Sequence, residues 1–334
     1  MKHIKSIAKM LCVLFLAITC FLSAFPVYAA GSTQTEAARK ERVYVGNYKE
    51  IWAVNMKTGN AQPLKQSNSG NNGSFKNLER VKNFIYYDGG DVKKSTAGIY
   101  RFDLDKNKEY KLADGKSPMI YKNKIYYLSY KKSGGKKVLT GISSMNLNGS
   151  NNKLVIPKSD TNLLFTVCSG KVFYIGKNNK TLCQANLQGG SKKEISALDT
   201  SKAIYMTSDR DSVYIKCNYT SDRKRYFQYN VSNNKVKLIA NENATYKIIK
   251  FDGNYFYDYN ASALWLNDFS KVENDPVALV YAGDTGRSFE SVATFNSKYV
   301  VCETSFFQDG YKHTLSILDR NNNTYKDIIP DVGY

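Results

Sequence analysis

Histidine is almost missing from this chain. Of its 334 residues only His3 and His313 are histidine, and His3 falls in a segment that reads as a leader. A His-rich metal site, or a triad with a choice of histidines, is therefore excluded. His313 opens a hairpin strand and reads as structural. Tryptophan is down to Trp52 and Trp265, and the tandem motifs of WD, kelch and sialidase repeats are absent. No two cysteines have the CxxC spacing, which argues against zinc. Beyond the leader no stretch has a helical period, so an α or α/β fold has nothing to build on.

The leader begins with Lys2, Lys5 and Lys9, continues through an apolar Met10 to Phe25, and ends in Val27-Tyr28-Ala29, with small residues three and one before a break after Ala29. Residues 1–29 are expected to be a secretory signal peptide, 30–42 a polar leader and 43–334 a single domain. Retention as an anchor is the weaker alternative, because the apolar run is interrupted by Thr19, Cys20 and Ser23, is shorter than a typical span and ends in a cleavage signal; once it is removed no stable membrane span is expected. Cys12 and Cys20 leave with it. Cys168, Cys183, Cys217 and Cys302 remain and read as buried thiols, with a Cys183–Cys217 bridge as the alternative.

Acids are also scarce. Lys and Arg total 48 against 29 Asp and Glu, a net charge of +19, and loss of the three leader lysines leaves +16. Such an excess draws a protein toward polyanions. For a secreted or cell-wall-associated chain these are anionic cell-wall polymers or polysaccharide, with no specific nucleic acid implied. Lysine is also part of a general Lys/Asn/Ile/Tyr richness, which is the plainer explanation.

What the chain does have is a repeat. An apolar residue followed by Asn or Asp closes a strand seven times, at Val54-Asn55, Phe102-Asp103, Met145-Asn146, Ala185-Asn186, Tyr229-Asn230, Leu266-Asn267 and Leu318-Asp319. Each Asn or Asp can accept from the backbone two residues on and open a hairpin turn. A strongly strand-forming triplet precedes each, such as Ile85-Tyr86-Tyr87, Ile125-Tyr126-Tyr127 or Val172-Phe173-Tyr174. The interval between repeats averages about 43 residues, the length of one four-stranded propeller blade. The expected fold is all-β, a β-propeller of four-stranded antiparallel blades. Seven blades follow from seven anchors; six plus an irregular first unit is the alternative, because no inner strand precedes Arg42 and only four residues follow Pro330.

These units resemble the secreted propeller-like domains of unknown function found in low-GC Gram-positive bacteria, which group with TolB-like and low-density-lipoprotein-receptor-type propellers. Ile85-Tyr86-Tyr87 with Gly98-Ile99-Tyr100-Arg101, and Ile125-Tyr126-Tyr127 with Gly141-Ile142 and Asn146-Leu147-Asn148-Gly149-Ser150, carry the resemblance. It covers nearly the whole mature chain and implies a fold, with no catalytic residues to carry over.

Asp103, Asp105, Asn107 and Glu109 alternate like part of a calcium loop, but the equivalent turns in other units lack the acids, and the central Gly and distal Glu of an EF-hand are missing. No metal, cofactor or catalytic constellation is nominated. The positional signal is charge. Lys93, Lys94, Lys131, Lys132, Lys136, Lys137, Lys177, Lys180, Arg223, Lys224 and Arg225 fall where second and third strands join. With Asp91 and Asp222 they give units two to five +9 on that face, against −2 for the other three units. Lys57, Lys106, Lys108, Lys192, Lys193, Lys235 and Lys237 fall on the opposite-face turns. The expectation is a monomeric, non-catalytic binding module for an anionic surface polymer or a partner protein. The alternatives are a carbohydrate-active hydrolase or lyase with carboxylates at the channel mouth, and an envelope-assembly scaffold.

Overall fold

The computed structural model describes residues 41–46, 50–66, 75–90, 97–179, 181–195, 202–218, 223–243, 247–252, 255–260, 263–268, 277–281, 287–295, 298–306, 312–319, 321–322 and 324–329. They form strands and turns, with no helix among them. The first sheet has three strands, β1 (Arg42–Gly46), β2 (Glu50–Asn55) and β3 (Ala61–Gln66). Six four-stranded sheets follow. The second is β4 (Lys76–Val81), β5 (Phe84–Gly89), β6 (Gly98–Asp103) and β7 (Lys108–Ala113), and the third β8 (Gly115–Tyr121), β9 (Lys124–Ser133), β10 (Lys136–Asn146) and β11 (Lys153–Pro157). The fourth is β12 (Thr161–Cys168), β13 (Lys171–Gly176), β14 (Leu182–Asn186) and β15 (Lys193–Ile195), and the fifth β16 (Ala203–Asp209), β17 (Ser212–Asn218), β18 (Arg223–Asn230) and β19 (Lys235–Asn243). The sixth is β20 (Lys247–Asp252), β21 (Tyr255–Asn260), β22 (Ala263–Asp268) and β23 (Val277–Tyr281), and the seventh β24 (Arg287–Phe295), β25 (Tyr299–Phe306), β26 (Lys312–Asp319) and β27 (Thr324–Ile329). All pairing is antiparallel between sequence neighbours. First strands of successive sheets approach one another, so each sheet runs from an inner first strand to an outer fourth. This is a β-propeller.

The second strands show why. Ile85, Tyr86 and Tyr87 are all buried, as are Ile125, Tyr126 and Tyr127, and Val172 through Ile175. A strand covered on one face would alternate; these do not, because each sheet is sandwiched between its neighbours. The tyrosine hydroxyls then need partners inside. Tyr127 donates to Asn152 Oδ1 at 2.8 Å, Tyr229 to Asn234 Oδ1 at 2.6 Å, and Tyr87 bonds the Glu109 carboxylate.

The anchors behave as their chemistry requires. Asn55 Oδ1 accepts from the amides of Lys57 and Thr58, Asp103 Oδ1 from Asp105 and Lys106, Asn186 Oδ1 from Gln188 and Gly190, and Asn230 Oδ1 from Ser232 and Asn233. The next residue does a second job. Met56, Leu104, Leu147, Leu187 and Val231 all pack into apolar clusters between sheets. Each turn thus stitches its sheet to a neighbour: the Gly149 turn lies against Leu112 of β7, and the Gly189 turn against Val155 of β11.

The same seam closes the ring. Val45, Val54 and Met56 of the first unit pack on Tyr299, Val301, Leu315 and Ile317 of the seventh sheet. Side-chain packing accomplishes this closure. The four cysteines among the described residues, Cys168, Cys183, Cys217 and Cys302, are free and buried; Cys168 and Cys183 lie on β12 and β14, with β13 between them.

Candidate functional site

Basic residues gather where the third sheet outgrows its neighbours. β9 and β10 run for ten and eleven residues, where β5 and β6 have six each. After an irregularity between Leu139 and Gly141 their pairing continues through Val138↔Lys131 and Lys137↔Lys132 to Lys136↔Ser133. Gly134 and Gly135 make the tip with φ of +56° and +75°, a two-residue turn whose left-handed backbone favours glycine. A side chain added at either would meet nothing within 4 Å, so the tip stands clear of the sheets.

Lys131, Lys132 and Lys136 are exposed on this ribbon and have no acidic partner among the described residues. Lys137 is not part of that surface. Its side chain is only 1% exposed, and its ammonium donates to the Ala97 carbonyl at 2.8 Å and to Asp114 Oδ1 at 2.9 Å. Lys137 turns inward although its register partner Lys132 is exposed, and Asp114 receives it. Lys111 reaches the same oxygen at 2.6 Å. Burial raises the Asp114 pKa, but the hydrogen bonds from Lys111 and Lys137 outweigh it and hold the carboxyl below its usual value.

The basic surface continues onto the fourth sheet. The link 158–160 is tied at both ends: Lys158 N donates to Thr140 O at 2.8 Å, and Lys177 N to Asp160 O at 3.1 Å. Exposed Lys158 thus adjoins β10, and exposed Lys177 adjoins the far end of the link. Arg223, Lys224 and Arg225 are not loop residues; they open β18, with Arg225 opposite Cys217 and half-buried. Lys93, Lys94 and Lys180 lie outside the described residues.

Beside Lys177 opens a cavity of ≈ 420 Å³, lined by Asp160, Tyr174, Gly176, Lys177, Asn178, Cys183, Lys192, Lys193 and Glu194. It exists because β15 has three residues and pairs only with Leu182, Cys183 and Gln184. The sequence assigns Lys192 and Lys193 to the face opposite Lys177, yet over this short outer strand they meet at one opening. Lys192 is held by Asp160 Oδ2 at 2.5 Å, an ion pair that lowers the Asp160 pKa. Tyr174 and Cys183 form the floor as register partners, and Glu194 is the register partner of Cys183 on its other side. Burial, reinforced by the Glu194 charge, pushes the Cys183 thiol up to about 11. Burial likewise pushes Tyr174 to about 12, with Cys183, Asp160 and Glu194 adding to it. Both groups are neutral at ordinary pH.

The calcium-like acids are engaged in the fold. Asp103 caps its turn, Asp105 Oδ2 accepts from Asn83, and Glu109 is bonded by Tyr87 and Lys65. His313 lies within β26 opposite Ser305.

No family model matches the chain, and no curated protein matches it by sequence. Among solved structures, 90% of the chain superposes on 50% of a prolyl endopeptidase with a TM-score of 0.62 and 12% identity. A puromycin hydrolase matches 86% of the chain over 52% of its own length, with a TM-score of 0.62 and 8% identity. The chain therefore spans about half the length of either enzyme. The oligogalacturonate lyase of Vibrio parahaemolyticus matches 86% of the chain over 85% of its own, with a TM-score of 0.55 and 10% identity. A looser superposition on TolB from Acinetobacter baumannii has a TM-score of 0.46 at 15% identity. At such identities the likeness is one of fold, and that fold is the β-propeller.

Proposed function

We propose that the protein is a secreted, non-catalytic propeller that binds an anionic polymer of the cell surface at the basic end of its third and fourth sheets. The observation that carries this reading is the β9–β10 ribbon, whose Lys131, Lys132 and Lys136 stand exposed with no acidic partner among the described residues, with exposed Lys158 tied by its amide to Thr140 of the same strand pair. Lysines engaged in the fold's own ion pairs sit beside acids, as Lys111 and Lys137 do. A flexible row of hydrated ammonium groups suits a repeating anion better than a shaped protein surface, which would draw on aromatic and Arg anchors.

The test is retention on immobilised teichoic acid and polygalacturonate as salt is raised. Wild-type binding should fall steeply, and Lys131→Ser, Lys132→Ser and Lys136→Ser together should weaken it by about tenfold with a shallower salt slope, since fewer counterions are released. An equal loss on replacing the exposed Lys106, Lys108 and Lys235 instead would trace the attraction to net charge alone. Breakdown of either polymer by the wild-type protein would favour the lyase or hydrolase reading.

A further inference from the structure

We infer that the cavity on the fourth sheet is a subsite for one sugar unit bearing a single anionic group, a carboxylate or a phosphate ester, belonging to the polymer that the ribbon holds. The inference rests on the polyanion reading and gives it a specificity.

Size comes first. At ≈ 420 Å³ the cavity lies toward the small end of ligand pockets, which run from roughly 300 to 1,000 Å³. That suits a single pyranose ring with its anionic group and far exceeds the need of a bare ion. Gly176 helps to keep it open: a Cβ there would sit 3.3 Å from Cys183 Sγ and 3.4 Å from Asn178 Oδ1. Its φ lies outside the left-handed region, so room, and not backbone freedom, is what a side chain would remove.

The lining is divided as a sugar requires. Tyr174 and Cys183, both buried, provide a floor against which the C–H face of a pyranose can lie. Lys177 and Lys193 are exposed at the opening with no acidic partner among the described residues, whereas Lys192 is already held by Asp160. Two ammonium groups are thus available to one anion. Glu194 supplies an acceptor for ring hydroxyls, while Asn178 Nδ2 already donates to Thr181 Oγ1 at 3.1 Å. The Cys183 thiol donates to the Thr181 carbonyl at 3.8 Å, and with thiol and phenol both neutral the floor presents no nucleophile. Lys177 lines the cavity, and its amide is tied to Asp160 on the link that Lys158 joins to Thr140 of β10, so one short link connects the sheet of the ribbon to the sheet of the cavity.

Calorimetric titration of the mature chain with digalacturonate, glucose 6-phosphate, inorganic phosphate and cellobiose tests this. The two anionic sugars should bind more tightly than phosphate or cellobiose. Lys177→Gln with Lys193→Gln should weaken both by about tenfold, the loss of a charge-assisted hydrogen bond. The ribbon triple-serine variant should leave these small ligands within about twofold of wild type, because it removes no group that they touch. Cellobiose or phosphate binding as tightly as the anionic sugars would overturn the assignment, as would undiminished binding by the double glutamine variant or the absence of binding by wild type. Polymer retention lost in the ribbon variant while wild type ignores both anionic sugars would sink the subsite alone. Small-ligand binding as expected, with polymer retention untouched by the ribbon variant, would sink the ribbon reading and leave the subsite standing.

Discussion

Lys326 Nζ donates to Asn60 Oδ1 at 3.1 Å across 266 positions of sequence, joining the outer strand of the last sheet to the turn of the first. Both residues are exposed, so this bond marks the closure of the ring more than it holds it. The apolar seam behind it, Val45, Val54 and Met56 on Tyr299, Val301, Leu315 and Ile317, does the holding. Ile317→Ala should cost about 2–5 kcal/mol in urea unfolding, and Lys326→Ala less than about 1 kcal/mol. The reverse order would mean that the ring is closed by its polar contact.

Two turn glycines with nearly the same backbone make a sharper comparison. Gly149 and Gly189 have φ of +88° and +87°. A Cβ on Gly149 would meet Leu112 side-chain atoms at 3.4 Å, but one on Gly189 would meet the Val155 carbonyl oxygen at 2.0 Å. Gly149→Ala should therefore cost only the left-handed penalty of about 1–2 kcal/mol. Gly189→Ala must also push apart two sheets, a further 1–3 kcal/mol or about that. Thermal unfolding of the two variants side by side checks the order.

Much of the fold was legible because one constraint recurs. The strand triplets are buried on both faces and so read as unbroken apolar runs, and Asn55, Asp103, Asn186, Asn230 and Asp319 each cap their own turn, while in the Asn146 turn Asn148 holds the amide instead. A further signal went unused: the residue after the anchor is apolar in five units, at Met56, Leu104, Leu147, Leu187 and Val231, and charged in the last two, at Asp268 and Arg320. The site was less legible. Charge counting cannot distinguish Lys136, exposed at a hairpin tip, from Lys137, whose ammonium meets Asp114 from a different part of the sheet. Nor does counting show that β15 is short, which is what brings Lys193 to the same opening as Lys177.

The buried thiols make an alkaline prediction. Cys168 and Cys183 each rise from an ordinary value of 9.0 to about 11, chiefly through burial. Below the unfolded value both states hold the proton, and pH has no effect through these groups. As pH rises from 9 toward 11 the unfolded chain gives up protons that the folded chain keeps, so stability falls. Urea midpoints should decline across that window, and by less in Cys183→Ala after comparison with its own value at pH 8. Reducing agent should leave the neutral midpoint unchanged, since all four cysteines are free. A midpoint that drops on reduction would contradict this.

Lys137 and its neighbours on the ribbon should separate stability from binding. Lys137→Met keeps the buried stem but removes the ammonium that Asp114 and the Ala97 carbonyl accept from. Breaking a buried pair can cost 3–5 kcal/mol or about that, but Asp114 is 30% exposed and retains Lys111, so a loss of about 1–3 kcal/mol is expected. Loss at Lys131, Lys132 and Lys136 should stay within about 0.5 kcal/mol each, as at most exposed positions. The pH dependence supplies a second readout. Because the folded Asp114 pKa is depressed, its stabilisation is present above the unfolded value near 3.8 and disappears as pH falls below it. Wild type should therefore lose more stability than Lys137→Met between neutral pH and the acid range, since the variant begins with less to lose. If instead Lys137→Met unfolds like wild type at every pH and binds polymer as poorly as the ribbon variant, then Lys137 belongs to the binding surface after all and its pairing with Asp114 contributes nothing to the fold.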